Sequence, residues 1–505
     1  MALSDALTAG RRPSPSTPLD LGRWRWAWPV FLALLAGIIG GLAVAGFGPL
    51  LPVVMLVGAV AAALVLVEPR WGLLGALAVI ALLPFGTFPV KVALTPTLLE
   101  LALLGTWAVF ALRLMLRREE RLTLAALDWA LLLFLVATLF AFVLGFGRGY
   151  TTQTLHDYAK MVLSISLFFL VTQLLRDRGD LRAALTGLAL GAGAAAALGL
   201  GLYALGRGAE RFLVRLARIG YPTGKILRYI EDDPAKPLRL TGTGVDPNSV
   251  GGFLMVALVL LVAQAAARRP LVPRPLAVLA VPPVALALLL TYSRAAWVGA
   301  ACGILAVALL RYRWLLLPLA AGGAAVLALG IGRGFVERLV LGIQLKDPAT
   351  RLRLAEYRNA LAIIREHPVF GVGFGAAPSI DLQTGVSSVY LTIAERTGLF
   401  GLALYLVVLA LLAATLWRAL RRAPGRQAPE GEAVVALTGV LAAALAAGVL
   451  DHYFFHIGFA HMVALFWGLA ALAVVAARLT IGGAERLNVS TSQRHEVKAT
   501  LGPSP

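Results

Sequence analysis

Apolar stretches long enough to cross a bilayer recur along nearly the whole chain, and short polar segments separate them. A helix needs about 20 apolar residues to span the hydrocarbon layer, and the pattern divides into about fourteen such stretches. They fall at approximately 29–47, 49–67, 71–88, 98–116, 127–145, 157–174, 182–205, 248–267, 275–292, 294–310, 314–332, 397–417, 434–454 and 457–477. None shows the alternation of a membrane β-barrel strand. The expected fold class is therefore all-α: a polytopic transmembrane helical bundle, about 12–14 spans, with two long extracytoplasmic loops containing amphipathic helices.

Basic residues orient this pattern. With the N-terminal tail inside, every second connection carries Lys or Arg, as positively charged inside loops require. Arg70 falls inside, then Arg117, Arg118 and Arg121, then Arg176, Arg178 and Arg182. Arg268, Arg269 and Arg274 follow, then Arg311 and Arg313, and finally Arg418, Arg421, Arg422 and Arg426. The expected organisation is a cytoplasmic tail at 1–28, a transmembrane bundle at 29–205, an outside Arg-rich loop at 206–247 and further spans at 248–332. A long outside loop at 333–396, C-terminal spans at 397–478 and a cytoplasmic tail at 479–505 complete it.

Composition sharpens the class. Of 505 residues, 59% are hydrophobic, which no soluble globular domain matches. The net charge of +19 is scattered between spans. That suits an anionic membrane surface and gives no reason to expect nucleic acid as a partner. The one cysteine, Cys302, excludes an intrachain disulfide and a cysteine-based metal site. No cofactor or metal is expected.

Charge in the two outside loops is the exception that points to chemistry. Arg207, Arg211, Arg215 and Arg218 recur at helical spacing. Arg351, Arg358 and Arg365 form a second stripe beside an apolar arc of Leu354, Tyr357, Ala360, Leu361 and Ile364. This reads as an amphipathic helix at the membrane surface. Guanidinium groups held outside call for an anionic partner, and a pyrophosphate fits their planar fork. Lipid head groups are the plainer occupant. Arg294 follows a span directly, where a charge is costly unless it faces a polar cavity. Arg239 stands just before the span that Asn248 opens. Arg215, Arg218, Arg351 and Arg358 are reserve anion ligands.

Three motifs stand out in order. The first runs from Arg239 through Asp246-Pro247-Asn248 into a span. The second is Thr291-Tyr292-Ser293-Arg294-Ala295-Ala296-Trp297. The third runs from His367-Pro368-Val369-Phe370 through Gly371, Gly373 and Gly375 to Ser387-Ser388-Val389-Tyr390-Leu391 and Glu395-Arg396-Thr397-Gly398. The glycine repeat lacks the strand before it and the Lys-Ser or Lys-Thr after it that a phosphate loop needs. A turn that brings backbone close to substrate, or lets the loop re-enter the membrane face, accounts for it better.

Together these motifs resemble the O-antigen ligase and O-antigen polymerase superfamily of bacterial membrane glycosyltransferases. The resemblance covers residues 238–401; before that it lies in hydropathy only. It implies transfer of a glycan from a polyprenyl-pyrophosphate carrier to an acceptor hydroxyl. That acceptor belongs to a glycan, a lipid or a protein, and transfer takes place on the extracytoplasmic face of the bacterial inner membrane. Ligase and polymerase differ in the acceptor. Arg294 and Arg239 would stabilise charge on the leaving pyrophosphate. Asn248, Ser293 and Tyr390 would contact substrate.

Ligases of this kind carry a histidine that corresponds to Ser387, which cannot serve as a base. The proton acceptor must then lie elsewhere. His367, Glu395, Asp246 and the group Asp451, His452 and His456 are the replacements available. His452 and His456, four apart, would share a helix face, but no third ligand makes them a metal pair. A transporter or flippase for lipid-linked or anionic solutes is the alternative. It would show repeated halves and broken helices with polar groups at mid-membrane. A cell-wall polymerase of the shape, elongation and division type is a third reading, on architecture alone.

The orientation is testable. Single cysteines at Gly224 and Thr384, in a Cys302→Ala background, should react with an impermeant thiol reagent in intact cells. Protection of both until lysis would overturn it.

Overall fold

The computed structural model describes residues 50–88, 95–116, 122–224, 226–328, 348–375, 386–422 and 428–500. The expected tail 1–28, the first span 29–47, Arg117, Arg118, Arg121, Arg426 and Thr384 lie outside them. So does 329–347, the opening of the second loop. The chain divides into two compact units, Met1–Ala62 and Ala63–Pro505. The described part of the first is helical, and the second holds the remaining elements.

Helices dominate, and the fold is all-α and polytopic. In order they are α1 (Leu50–Val67), α2 (Arg70–Leu82), α3 (Leu98–Met115), α4 (Ala126–Leu144), α5 (Thr152–Leu174) and α6 (Arg178–Ala204). Then come α7 (Pro247–Ala266), α8 (Arg274–Leu290), α9 (Arg294–Leu310), α10 (Leu316–Ala328), α11 (Pro348–Glu366), α12 (Val389–Arg422), α13 (Pro429–Leu450) and α14 (Ala460–Thr500). Among the described residues, eight helices are long and apolar enough to cross a membrane, and α2, α8 and α9 are shorter apolar helices. The expected tail from 479 continues the last helix to Thr500.

The bundle is layered around α7 and α14. The apolar stretch of α7 is 78% buried and that of Ile457–Gly482 is 89% buried, whereas Val389–Arg422 is 28% buried. The first two are therefore central and α12 peripheral. α7 packs on α8, α9 and α13, and α14 on α5, α12 and α13. Small residues permit the closest of these approaches. A Cβ at Gly303 of α9 would stand 2.7 Å from the Gly439 carbonyl oxygen of α13. Outward faces carry exposed Leu139, Leu279, Leu317 and Val407, as an apolar surrounding allows.

Polar contacts sort to the two ends of the helices. At one end Arg70 pairs with Glu68 and Asp180, Arg178 with Glu430, Arg311 with Glu432, and Arg478 bonds the Thr172 carbonyl. The alternating basic connections of the sequence thus share an end. The opposite end holds Arg239, Arg294 and the start of α12.

Between α6 and α7 the chain forms a short helical run and a two-residue hairpin. Residues 206–219 are helical as the arginine spacing predicts, but mostly as 3₁₀ turns, closed by Gly220. β1 (Arg228–Tyr229) then pairs antiparallel with β2 (Leu238–Arg239), Arg228 facing Arg239. The hairpin has no signal in hydropathy. α11 occupies the expected amphipathic segment, and the exposed Arg351, Arg358 and Arg365 keep to one side. Its buried face is Glu356, Ala360, Ile363 and Ile364, so Leu361, expected in the apolar arc, is exposed instead.

α12 breaks at Gly398, whose φ of 71° and ψ of −178° only glycine adopts readily. The break strands backbone groups that the glycine-rich segment satisfies. Val372 N–H donates to the Glu395 carbonyl at 3.0 Å and Gly373 N–H to the Arg396 carbonyl at 2.9 Å. Leu399 N–H donates to the Pro368 carbonyl at 2.7 Å, and Phe400 N–H to that of Val369 at 3.3 Å. The Gly371–Gly375 repeat is therefore a patch on a broken helix. Replacing Gly398 by alanine would place a Cβ 2.1 Å from the Val369 oxygen. That, with the strained backbone, should cost about 3 kcal/mol. Thermal unfolding of Gly398→Ala in detergent, against wild type, measures it.

Candidate functional site

The site begins where the hairpin meets the start of α7. Asp246 caps α7, its carboxylate accepting the Ser249 N–H at 2.7 Å, with Pro247 in the first turn. This is a strong helix start. Arg239 reaches across both motifs. Its Nε donates to the Thr291 carbonyl at 2.8 Å and a terminal nitrogen to Asn248 Oδ1 at 2.7 Å. Leu240 N–H donates to the Leu290 carbonyl at 2.8 Å, so backbone and side chain both tie the first motif to the second.

The Thr291–Arg294 turn is compressed. Tyr292 adopts φ of +52°, a costly value for a residue of its bulk. Thr291 donates to the Leu288 carbonyl at 2.6 Å and accepts the Ser293 N–H at 3.2 Å. Ser293 is 2% exposed, and its Oγ has no partner among the described residues. Arg294, half-buried, is the first residue of α9. Gly251 and Gly252 let the turn and Tyr453 close on α7: a Cβ at Gly251 would lie 2.8 Å from that of Ser293. One at Gly252 would lie 2.5 Å from the Tyr453 ring. The Tyr453 hydroxyl is a further buried polar atom with no hydrogen-bond partner among the described residues, and His452 Nδ1 has only Asp451 Oδ1 nearby, at 3.5 Å. Buried polar atoms left unpaired are uncommon, and each calls for an explanation.

Burial governs the charges here. It pulls the Arg239 guanidinium down to about 10, against the attraction of Asp246 and Asp451. It pushes the Asp246 carboxyl up, and Asp451 adds to the push. Asp451 is also raised by burial, against the pull of Arg353 and Arg239. His452 is lowered by burial, though Asp246 and Glu356 hold it up. His456 falls well below its ordinary value through burial, His452 and Arg396. Arg239, Asp246, Asp451, Arg353, His452 and Glu356 thus share one electrostatic neighbourhood.

Several expected residues behave differently. His452 and His456 bracket the first of two 3₁₀ turns after α13 ends at Leu450, and His456 precedes the second; they share no α-helix, although their rings lie 4.6 Å apart. His456 Nδ1 accepts the Gly458 N–H at 3.1 Å. His367 ends α11, and its carbonyl accepts the Gly371 N–H at 3.2 Å, a turn role. The Glu395 carboxylate, 3% exposed, pairs with Arg396 at 3.6 Å, and Arg396 in turn donates to the Gly375 carbonyl at 2.6 Å. Tyr390 donates to the Leu445 carbonyl at 3.1 Å, inside helix packing. Arg215 and Arg218 are exposed, Arg215 lying 5.7 Å over the Phe212 ring. Arg351 and Arg358 also face outward.

Sequence reasoning missed Arg228, Arg353 and Glu356. Arg228 needed the hairpin register. Arg353 and Glu356 lie three apart, a spacing that puts both on one helical face, but the outward arginine stripe is the stronger periodic signal. Ser387, at the expected histidine position, bonds Glu356: its N–H donates at 3.1 Å and its Oγ at 2.7 Å.

Residues 276–406 match the O-antigen ligase family model. This stretch carries the Thr-Tyr-Ser-Arg turn, α11, the glycine segment and the start of α12, and it supports the O-antigen ligase superfamily and a membrane glycosyltransferase-type function. Arg239, Asn248, Asp451 and His452 lie outside the matched ligase stretch and are joined to it by hydrogen bonds and electrostatic contacts. No curated protein matches the chain.

The buried histidines make the site's stability depend on pH. Both fold with pKa values below the ordinary 6.5, so the unfolded chain binds protons that the folded one refuses. Stability conferred by neutral histidines is complete above that value and is lost as pH falls through the window below it. Asp246 and Asp451, raised, act with the opposite sign above about pH 4. The midpoint of thermal unfolding should therefore drop between about pH 7.5 and 5.5. A His452→Gln/His456→Gln variant should lose most of that drop; an unchanged slope would refute the assignment.

Proposed function

We propose that this protein transfers a glycan from a polyprenyl-pyrophosphate carrier to an acceptor hydroxyl on the extracytoplasmic face of the bacterial inner membrane, as a ligase or polymerase of surface polysaccharide. The observation that carries the proposal is the state of Arg239. The residue is half-buried, yet the hydrogen-bond partners of its guanidinium, the Thr291 carbonyl and Asn248 Oδ1, are neutral oxygens. A half-buried cation without a bonded carboxylate retains its attraction for an anion. The same contact anchors the turn from which Arg294 starts α9, within the ligase-matched stretch.

The chemistry follows from that arrangement. Breaking the bond between sugar and pyrophosphate puts negative charge on the leaving oxygen. Preorganised guanidinium groups in a water-poor site stabilise such charge most strongly. The lipid carrier supplies the activation, so the reaction needs no sugar nucleotide. Ligase and polymerase share this donor half and differ only in the acceptor.

Arg294→Ala should lower transfer about a hundredfold, roughly 3 kcal/mol, while the protein stays folded and inserted. Arg294→Lys should recover part of the loss, because an ammonium cannot reproduce the planar fork. Turnover of lipid-linked glycan by purified protein in nanodiscs is the assay. Full activity of Arg294→Ala would remove the central residue.

A further inference from the structure

Glu356 has no assigned role, and its surroundings are specific. It lies on the buried face of α11 and is 4% exposed. An isolated carboxylate there would be expensive, and one serine compensates it. Ser387 donates both its N–H and its Oγ–H to Oε2, at 3.1 and 2.7 Å. Two donors to one oxygen fix the direction of the carboxyl group.

The neighbours link this carboxylate to the arginine site through Asp451 and His452. Tyr357 donates to the Ser387 carbonyl at 3.0 Å and to the Val449 carbonyl at 3.2 Å, pinning α11, the approach to α12 and the end of α13 together. Two and three residues beyond Val449 stand Asp451 and His452. Glu356 acts electrostatically on His452, and Arg353, one turn earlier on α11, acts on Asp451 and His452. Asp451 in turn feels Arg239. The other carboxylates nearby are occupied differently: Asp246 caps α7, Asp451 accepts the His452 N–H at 2.9 Å, and Glu395 pairs with Arg396.

We infer that Glu356 is the general base that receives the proton of the acceptor hydroxyl, and that Ser387 is the residue that positions it. The inference rests on the glycosyl-transfer reading above. The acceptor oxygen forms a bond to the anomeric carbon as its O–H proton passes to Glu356. The bond from that carbon to the pyrophosphate oxygen breaks, and its electron pair leaves with the pyrophosphate. The proton then returns to solvent. Charge thus builds at the arginines and is relieved at the carboxylate, two ends of one displacement.

The test uses the full chain in nanodiscs with a lipid-linked glycan donor and a glycan acceptor. Glu356→Gln keeps the shape and an oxygen for Ser387 but cannot take a proton. It should lose at least about a hundredfold in transfer and keep donor binding and thermal stability. Glu356→Ala should regain rate with added formate. Ser387→Ala should lose less, and the acid limb of its pH–rate profile should move to higher pH, because a donor to the ionised form is gone. A merely structural Glu356 would give stability loss without formate rescue and without movement of that limb; this outcome overturns the inference. So does a Glu356→Gln variant with wild-type rate. Absence of donor turnover by the wild-type protein would overturn the underlying transfer reading instead.

Discussion

Backbone groups freed inside an apolar bundle must find partners, and this requirement organises the functional end of the molecule. In lipid a broken helix cannot turn to water. α12 nevertheless breaks at Gly398, and the chain supplies Pro368, Val369, Val372 and Gly373 to bond the four groups released. That pairing holds the end of α11 against the start of α12. It thereby sets where Glu356, Ser387 and Arg396 stand. Tyr150 adds a second clamp, accepting the Phe374 N–H at 2.9 Å and donating to the Phe142 carbonyl at 2.8 Å.

Charge obeys the same rule with higher stakes. Each of four buried or half-buried ionisable groups here meets at least one directed contact: Arg239 two neutral oxygens, Asp246 the α7 N-terminus, Glu356 one serine twice, Glu395 the adjacent arginine. What is left over includes Ser293 Oγ and the Tyr453 hydroxyl, each beside one of the paired glycines of α7. The strained Tyr292 lies in the same place. Unpaired polar atoms and backbone strain both cost free energy, and their coincidence is what a ligand-binding site produces.

The helical architecture was legible because hydropathy and alternating arginines act over whole segments. α3 to α9 start within a few residues of their expected positions. The positions of Arg239, shortly before α7, and Arg294, at the start of α9, were legible for a local reason, a charge at the edge of an apolar run. What the sequence hid depends on pairing. The β1–β2 register that sets Arg228 against Arg239 involves two residues per strand, too few for a periodic signal. The glycine repeat read as a loop for substrate because its partner, the break at Gly398, is a positive φ inside an unbroken apolar pattern. His452 and His456 read as helical because their spacing fits a helix; the chain instead makes two 3₁₀ turns there.

Ser387, where the resemblance to ligases leads one to expect a histidine, is the informative position. A serine beside a buried carboxylate is a different solution from a lone imidazole, with different electrostatics. An imidazole at 387 would be neutral or cationic close to Arg353, whereas Ser387 is neutral and gives two donors to the Glu356 carboxyl. Arg353 then has a compensating charge one turn away on α11, and Asp451 and His452 need not supply it alone. The positions are therefore coupled: an arginine at 353 and a carboxylate at 356 on one helical face make a serine at 387 workable. Changing any one of the three alters what the other two must neutralise. That coupling gives Arg353 a structural reason to be present that does not depend on substrate contact, and it separates Arg353 from the exposed stripe of Arg351, Arg358 and Arg365.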